Sequence, residues 1–437
     1  MSHTVILGTG IIGLSTAYYL SLSQTPTTTH LVDPSPTLFS SASGYAGGFL
    51  SRDWFTEELS ELGLLSFEEH KNLAEEHRGD QKWGYSVSRS LSYVSRIAAE
   101  NSRKSGKKGV RGDDWLRCGG SRADTAGGNE SIDTAGEGPR WLRRDDGDEL
   151  EVISEEGSTA QVDPLKLCQF LLTICLARGI QLHHPAKALS VHQDMRSKLS
   201  SIRILNISTN IESDIPCTKV LIAAGAWSPE VFSALFPESS LELPVSSLAG
   251  HSLVVRVPDW NDQLEEKECH AVFASDEEGY SPEIFSRKGG EIYIAGLNSS
   301  IIPLPRLATD SKIQEDIVQR LEKTARRIFG LDDDIEMEAI RKGLCFRPVT
   351  NRGTPILARI ADANLGGIKT RSAGDGGVWL AAGHGPWGIS LSLGTAVKDF
   401  WLQGVLSAKA SKGYLSSSII EKFLKTENYN SRSKSVN

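Results

Sequence analysis

The first part of the chain carries two short apolar runs separated by a longer stretch that is rich in small residues. Residues 4–7 predict a buried parallel strand, and residues 11–22 predict a helix that packs on a sheet through its small side chains. Residues 30–33 predict a second strand after a polar turn. The pattern therefore predicts one βαβ unit at the N-terminus.

Similar signals recur toward the middle of the chain. Asp163 and Pro164 suit the N-cap and first helical position of an apolar helix over residues 165–177. Residues 219–224 predict another buried strand, which leads into a glycine turn. These elements favour a parallel sheet covered by helices.

Alternating polar and apolar positions then replace that pattern. The alternation at residues 252–257 and 291–295 predicts antiparallel strands, and the glycines of residues 287–290 predict a hairpin turn. Helical spacing returns at residues 311–329 and 388–402, with a strand predicted at 377–380. Both ends of the chain therefore have the order strand, glycine turn and helix, with mainly antiparallel material between them.

Length and composition narrow the possible partners. A chain of 437 residues suggests two packed domains, and its net charge of −8 argues against nucleic acid as a partner. The six cysteines are scattered without a CxxC pair, so we expect no metal site and a reducing compartment. No apolar stretch approaches the roughly 18 residues of a membrane span, and no secretory signal is evident, so we expect a cytoplasmic protein.

The N-terminal glycine turn has the spacing of a dinucleotide site. Gly8, Gly10 and Gly13 form GxGxxG between the predicted strand and helix, where they allow a tight turn, close approach to a pyrophosphate and helix packing. Asp33 follows Gly13 by 20 residues, at the end of the next strand, where a carboxylate accepts hydrogen bonds from ribose hydroxyls. This acid disfavours NADP but does not separate NAD from FAD.

A second glycine turn favours FAD. Gly383, Gly385 and Gly388 lie between a predicted strand and helix far from the first turn, where an NAD domain has no use for them. A flavoprotein can direct such a turn and its helix dipole at the flavin N1/O2 edge, where negative charge grows on reduction. The alternative is a purely structural turn.

The chain resembles the D-amino acid oxidase-type family of FAD-dependent oxidoreductases, which includes glycine, sarcosine and fructosyl-amino acid oxidases, and it resembles fungal members of that family. The resemblance rests on residues 5–33, 41–50, 161–167, 219–228, 343–357 and 378–395 in this order. The resemblance and the two turns imply FAD as the cofactor. The residues expected to hold it are Gly8, Gly10, Ile11, Ile12, Gly13, Asp33, Ser41, Ser43, Gly47, Gly48, Ala224, Gly225, Trp227, Cys345, Gly383, His384, Gly385, Trp387, Gly388 and Ile389.

The expected fold class is α/β, with a Rossmann-like FAD-binding domain and a second, substrate domain built on a mixed or antiparallel sheet (α+β). We assign residues 1–50, 151–245 and 340–437 to the first domain, and residues 51–102 and 246–339 to the second. Residues 103–149 are dense in Gly, Ser and charged residues and predict an exposed, flexible insertion.

The resemblance also places substrate chemistry on residues 343–357. Relatives that oxidise amino acids grip the substrate carboxylate with an arginine at the position of Arg347; the alternatives are a structural salt bridge or a flavin contact. Cys345 occupies the place of a cysteine that sarcosine- and fructosyl-amine-oxidising relatives bond to the flavin; the alternative is a small buried side chain, which is the usual role of a free cysteine. His251 is expected to satisfy polar groups of the core.

The expected activity is oxidation of the C–N bond of an amino acid or secondary amine by hydride transfer to flavin, with molecular oxygen as acceptor and with imine and hydrogen peroxide as products. Residues 293–296 lack the lysine that promotes the oxygen reaction in some sarcosine-oxidising relatives. The alternatives are a dehydrogenase that uses another electron acceptor, or a flavoprotein with a non-catalytic role in trafficking or assembly.

Overall fold

The computed structural model describes residues 3–23, 26–98, 122–125, 132–133, 138–257, 269–275, 277, 279–332, 334–372 and 374–402. Its strands are β1 (Thr4–Leu7), β2 (Thr29–Val32), β3 (Phe49–Ser51), β4 (Ser86–Val94), β5 (Ile132–Asp133), β6 (Glu149–Val152), β7 (Thr159–Gln161), β8 (Gln181–His183), β9 (Ala186–Gln193), β10 (Leu199–Asn206), β11 (Ile211–Pro216), β12 (Lys219–Ile222), β13 (Ser246–Arg256), β14 (Cys269–Ser275), β15 (Glu283–Arg287), β16 (Glu291–Ser299), β17 (Glu338–Val349), β18 (Ile356–Ile360) and β19 (Gly377–Ala382). Its α-helices are α1 (Ile11–Ser23), α2 (Ala42–Tyr45), α3 (Glu57–His77), α4 (Gly79–Lys82), α5 (Pro164–Ala177), α6 (Ser228–Leu235), α7 (Glu315–Phe329) and α8 (Ser392–Leu402).

The first sheet is the predicted Rossmann-like sheet. Its order is β18-β19-β12-β1-β2-β8, and every pairing is parallel except that of β18 with β19. β1 is buried on both faces: Ile6 packs with α1 and α5, while Val5 and Leu7 pack with α6 and the small sheet of β9, β10 and β11. Both faces of the parallel sheet are thus covered, as such sheets require.

The second sheet has ten strands and is mixed, also as predicted. β13 pairs antiparallel with β16 on one side and with β17 on the other, while β14 pairs parallel with β4. Helix α7 covers one face through Val318, Leu321 and Ala325. The predicted hairpin turn joins β15 to β16, where Gly289 and Gly290 adopt φ of +98° and +74°.

Five strands of the second sheet, namely β3, β5, β6, β7 and β17, lie wholly or partly outside the residue ranges expected for the second domain. β17 belongs to the second sheet, although residues from 340 onward were assigned to the first domain, because eleven of its residues pair in register with β13. β6 extends the second sheet beside β4. Of the predicted insertion over 103–149, residues 103–121, 126–131 and 134–137 lie outside the described part.

Two helices begin later than predicted. α7 begins at Glu315 rather than 311, because Ser311 is extended and its hydroxyl closes a turn on the Ala308 carbonyl. α8 begins at Ser392 rather than 388, because Trp387 and Ile389 accept backbone hydrogen bonds within tight turns. His251 accepts the Gln314 N–H just before α7, which is the structural role expected of it.

Within the described residues, no helix has both the length and the hydrophobicity to cross a bilayer. In the same part of the chain, no group of three or more His, Cys, Asp or Glu side chains is arranged to hold a metal ion.

Candidate active site and cofactor cavity

A cavity of about 570 Å³ runs from Asp33, at the end of β2, to Arg347 on β17. Its volume lies within the range of small-molecule and cofactor sites, roughly 300–1,000 Å³. The predicted residues that line it are Gly8, Gly10, Ile11, Ile12, Asp33, Ser41, Ser43, Ala224, Gly225, Trp227, Cys345, Arg347, His384, Gly385, Gly388 and Ile389. Gly13, Gly47, Gly48, Gly383 and Trp387 do not line it.

The N-terminal glycine turn is shaped by close backbone packing. Gly8 has a φ of +105°, and a Cβ there would lie 2.5 Å from the Ala223 carbonyl oxygen at the end of β12. A Cβ on Gly13 would overlap the Gly8 carbonyl oxygen. Gly13 therefore allows α1 to pack on the turn, which explains why it does not face the cavity.

Polar groups at this end of the cavity are arranged around the start of α1. The Ile11 N–H donates to the Ser43 hydroxyl at 2.9 Å, and the Thr9 N–H donates to the Asp33 carboxylate at 2.9 Å. The Ser35 N–H donates to the other Asp33 oxygen at 3.0 Å. Burial raises the pKa of the Asp33 carboxyl, although both N–H groups favour its ionised form.

Residues 41–48 connect this end to the other. The Ser41 hydroxyl accepts the Phe346 N–H of β17 at 3.2 Å, and Ala46 lines the cavity. A side chain on Gly47 or Gly48 would point into the protein, because a Cβ on Gly47 would lie 2.6 Å from the Phe285 ring and one on Gly48 would overlap the Val162 carbonyl oxygen. We therefore expect Gly47 and Gly48 to contact the cofactor through their backbone groups, and not by leaving room for it where a side chain would be.

The C-terminal glycine turn places His384 against the cavity. Gly383 and Gly385 have φ of +86° and +55°, and Gly383 packs on Thr350, which keeps it from the cavity wall. The His384 Nε2 lies 3.1 Å from the Thr395 hydroxyl, and burial lowers the pKa of His384 to about 4. His384 is therefore neutral near pH 7 and is positioned for hydrogen bonding.

Trp387 is expected among the residues that hold FAD, but it does not line the cavity and packs in the core instead. Its ring is buried beside Phe49 and Phe55, and the Arg122 guanidinium lies 4.6 Å above it. The ring turns inward because it completes the aromatic cluster between the second sheet and the turn. Arg122 also forms a bidentate pair with Glu283, at 2.8 and 3.1 Å.

The far end of the cavity is lined by residues 345–348 of β17, a strand that pairs with β13. Arg347 lies on the cavity wall, where its Nη1 donates to the Asn298 amide oxygen at 2.8 Å and the Tyr293 hydroxyl is a second hydrogen-bond partner. Its guanidinium lies over Gly250, where any Cβ would overlap Nη1. Among the described residues no carboxylate forms an ion pair with Arg347.

Cys345 and Tyr293 complete this end. Cys345 is a buried free cysteine on the cavity wall, two positions before Arg347 on the same strand. Burial raises the pKa of Tyr293 to about 12, so its hydroxyl keeps its proton at neutral pH. A loop of residues 300–310 covers the cavity here, held by the Trp227 Nε1–H on the Pro305 carbonyl at 2.8 Å.

Comparison with known proteins decides the family. Residues 3–397 match the family described as FAD dependent oxidoreductase. The chain belongs to that family. One relative is C1F5.03c of Schizosaccharomyces pombe, which is named as an oxidoreductase. The two chains are 25% identical over 431 residues, and the alignment covers 93% of this chain and 95% of the relative.

Solved structures show that the FAD-dependent oxidoreductase fold extends over nearly the whole chain. Glycine oxidase from Geobacillus kaustophilus superposes with a TM-score of 0.66 at 20% identity, covering 93% of this chain and 96% of that one. Iminodiacetate oxidase from Chelativorans sp. BNC1 gives 0.64 at 19% identity, covering 95% and 98%. At these identities the likeness concerns the fold.

The residues present fit the FAD that this family uses. The start of α1 and the open cradle above Gly10, where a Cβ would lie 2.9 Å from the Ser43 hydroxyl, suit a pyrophosphate. Asp33 suits the ribose, so an extended dinucleotide would bring its flavin toward Cys345, Arg347 and His384. Assignment of FAD contacts to individual residues stays a prediction.

The sequence reasoning missed several residues of the site. Asn298, Arg306 and Lys187 carry no motif, and only the pairing of distant strands brings them to the cavity or to Arg347. Tyr293 was noted only as part of a segment without lysine. The contact of Arg287 with the Gly47 carbonyl was missed as well. The sequence could have indicated it only if the order of the strands in the sheet had been known.

Proposed function

We propose that this FAD-dependent oxidoreductase oxidises the C–N bond of an amino acid or of a secondary amine that carries a carboxylate. The observation that supports the proposal most strongly is the arrangement of Arg347, a cation on the cavity wall that forms no ion pair with a carboxylate of the described residues. A guanidinium in such a setting attracts an anionic group far more strongly than it would in water.

The surroundings of Arg347 hold its fork in one orientation. The Asn298 amide, the Tyr293 hydroxyl and the flat surface above Gly250 fix the guanidinium plane and leave its other N–H groups for a ligand. A planar carboxylate is the group that pairs bidentately with such a fork. Arg347 would therefore position an amino acid by its carboxylate and not by its amine.

The reaction needs little acid–base help from the chain. When bound, FAD would supply the acceptor for the hydride from the carbon next to the amine nitrogen, and its reoxidation by oxygen would yield hydrogen peroxide. The amine would bind in its neutral form, and the imine product would be hydrolysed by water. His384 is neutral and hydrogen-bonded to Thr395, so it would orient groups at the cavity rather than remove a proton.

The names of the similar structures support this substrate class. A glycine oxidase and an iminodiacetate oxidase share the fold, and both names denote oxidation of compounds with an amine near a carboxylate. We propose molecular oxygen as the acceptor on the same basis. The cytoplasmic location stays a prediction.

A panel of D- and L-amino acids, glycine and N-alkyl amino acids tests the proposal. We expect anaerobic bleaching of the flavin absorbance by at least one of them. Arg347→Met should lower kcat/KM for that substrate by about a hundredfold or more, because a bidentate charge-assisted pair is lost. Arg347→Lys should recover part of the activity.

The matched control is the amine that lacks the carboxylate of the best substrate. Arg347→Met should barely change the slow oxidation of that amine. An equal loss for both compounds would assign Arg347 a structural role, and no bleaching by any carboxylated amine would contradict the proposed substrate class.

A dehydrogenase is the second candidate, and one observation favours it. Among the described residues that line the cavity, the only lysine is Lys187, which lies next to the Asp33 end and far from Arg347. The rate at which substrate-reduced enzyme is reoxidised by oxygen, compared with the rate for a quinone, separates the two. Slow reaction with oxygen and fast reaction with the quinone would favour the dehydrogenase. Peroxide formed in step with imine would favour the oxidase.

A further inference from the structure

Arg287, at the end of β15, is a buried cation that forms no ion pair within the described residues. Its side chain is 3% exposed, and one nitrogen, Nη2, donates to two consecutive backbone carbonyls, those of Ala46 at 2.9 Å and Gly47 at 2.8 Å. The Gln161 amide donates to the same Gly47 carbonyl at 2.6 Å. Three hydrogen bonds from distant elements thus hold two adjacent peptide units.

Two carboxylates, Asp163 and Glu291, act on the charge of Arg287 only from beyond ion-pair distance. In the described part of the chain no carboxylate forms an ion pair with it, and its Nε and Nη1 have no hydrogen-bond partner. Burial accordingly lowers the pKa of the guanidinium, and the Tyr293 ring, 5.3 Å away, is its nearest aromatic contact. Burying an unpaired cation is costly, so a nearby negative charge would be strongly favoured.

The two hydrogen bonds from Arg287 to the Ala46 and Gly47 carbonyls also fix the direction of the N–H groups in the same two peptide units. In a trans peptide the N–H points opposite to the C=O of the same unit. The N–H groups of Gly47 and Gly48 therefore both point away from Arg287, side by side. Neither has a hydrogen-bond acceptor among the described residues. Two successive N–H groups with one direction form a concave site for an anion or a polarised oxygen or nitrogen.

The peptide unit between Ala46 and Gly47 adjoins the cavity, because Ala46 lines it, whereas Gly47, Gly48 and Arg287 do not. The same end of the cavity carries Cys345 and Arg347, to which an extended FAD would bring its ring system. Free donors and a buried positive charge behind them match a ring that becomes negative when it is reduced.

We propose that Arg287 is a positioning residue that, together with Gln161, directs the Gly47 and Gly48 N–H groups at the flavin ring, and that its charge raises the tendency of the bound flavin to be reduced. Arg287 acts through the backbone of residues 46–48 and touches neither substrate nor cofactor. The inference rests on the FAD site and is independent of the substrate class proposed above.

The test compares purified FAD-loaded Arg287→Met and Arg287→Lys with the wild type. We expect Arg287→Met to have a lower flavin midpoint potential, and a dissociation constant for FAD about tenfold higher, as the loss of one or two hydrogen bonds predicts. Arg287→Lys keeps the positive charge but loses the pair of hydrogen bonds to the Ala46 and Gly47 carbonyls. It should lower the potential less than Arg287→Met and should still weaken FAD binding.

Arg256→Met is the matched control. Arg256 lies on β13 of the same sheet, and its partners are the exposed Glu338 and the half-buried Glu291. Its loss removes one positive charge and should leave the potential and the FAD affinity unchanged.

The proposal is overturned if both Arg287 variants keep wild-type potential and FAD affinity, or if Arg256→Met shifts the potential equally. Should Arg287→Met fail to fold, Arg287→Lys decides by the same two measurements. Both are made without substrate, so they are separate from the outcome of the amine panel.

Discussion

The two ends of the cavity are built in different ways. At the Asp33 end, the walls are backbone groups of the Gly8–Gly13 turn, which are close in sequence to the strand and helix that they join. At the Arg347 end, the wall is β17, and its Arg347 is held by Asn298 of β16, 49 residues away, and lies over Gly250 of β13. The first end depends on local chain shape, and the second depends on the register of distant strands.

This difference has an energetic side. Changes at the Asp33 end meet backbone atoms that cannot move aside, so they act mainly through steric overlap. Changes at the Arg347 end leave buried charges without partners, so they act mainly through electrostatics and can be repaired by a second change. Three measurements use this contrast.

The largest effect is expected for Gly13→Ala. The new methyl group would overlap the Gly8 carbonyl oxygen, and neither backbone segment can move without displacing α1 from β1. We expect a loss of about 3 kcal/mol or more in the free energy of unfolding. The measurement is chemical denaturation of the FAD-free protein.

Gly388→Ala is the control for this change. Gly388 has a helical φ of −56°, and the nearest atom to its Cβ would be the His384 Cβ at 3.8 Å. Its stability in the FAD-free form should match the wild type or exceed it slightly. If Gly13→Ala and Gly388→Ala lowered the free energy of unfolding equally, steric overlap with the Gly8 carbonyl oxygen would not explain the effect of Gly13→Ala.

A somewhat smaller and reparable effect is expected at Arg122. Arg122→Met leaves the Glu283 carboxylate buried without its bidentate partner and should cost about 3 kcal/mol of unfolding free energy. Adding Glu283→Leu should restore most of that stability. Denaturation of the two variants and the wild type measures the effect. A double variant as unstable as Arg122→Met would show that Arg122 acts by packing on Trp387 and not through its charge.

The smallest effect is a dependence of stability on pH at the C-terminal turn. Burial lowers the pKa of both His70 and His384 to about 4, whereas an unfolded histidine titrates near 6.5. The unfolded chain therefore binds more protons below that pH. Each histidine should contribute a loss of about 1.4 kcal/mol per pH unit as the pH falls from about 6.5 toward 4.

His70→Gln tests that contribution. The His70 Nε2–H donates to the Ile389 carbonyl at 2.9 Å, and a glutamine amide can make the same bond without titrating. With FAD in excess, the pH slope of unfolding free energy should be shallower in the variant than in the wild type. An unchanged slope would show that His70 is not protonated on unfolding in this range.

The contrast between the two ends also explains what the sequence could predict. The strand, turn and helix from residue 4 to residue 23 and the acid at Asp33 follow from local pattern, and the structure has them close to the predicted bounds. The N-cap of α5 is a second such case, since Asp163 accepts the N–H groups of Leu165 and Lys166. Local chemistry was sufficient for each of these.

The parts that local pattern could not predict are those decided by distant partners. The assignment of β17 to the second sheet, the inward turn of Trp387 and the Arg287 contact with Gly47 all depend on which strands pair. The late start of α7 is similar, because the N–H before it is bound by His251 from β13. Arg347 itself was suggested by family resemblance, but its partners were not.

The long register of β17 with β13 has a consequence for divergence among relatives. Cys345 and Arg347 share one face of β17, and the pairing runs without a shift from Ser246 opposite Val349 to Arg341 opposite Val254. Exchanging a side chain at either position changes the chemistry presented to the cavity and leaves the ladder intact. Inserting or deleting one residue would turn both side chains to the opposite face. Substrate preference on this scaffold should therefore evolve by substitution in place, with gaps confined to the loops beyond the strand.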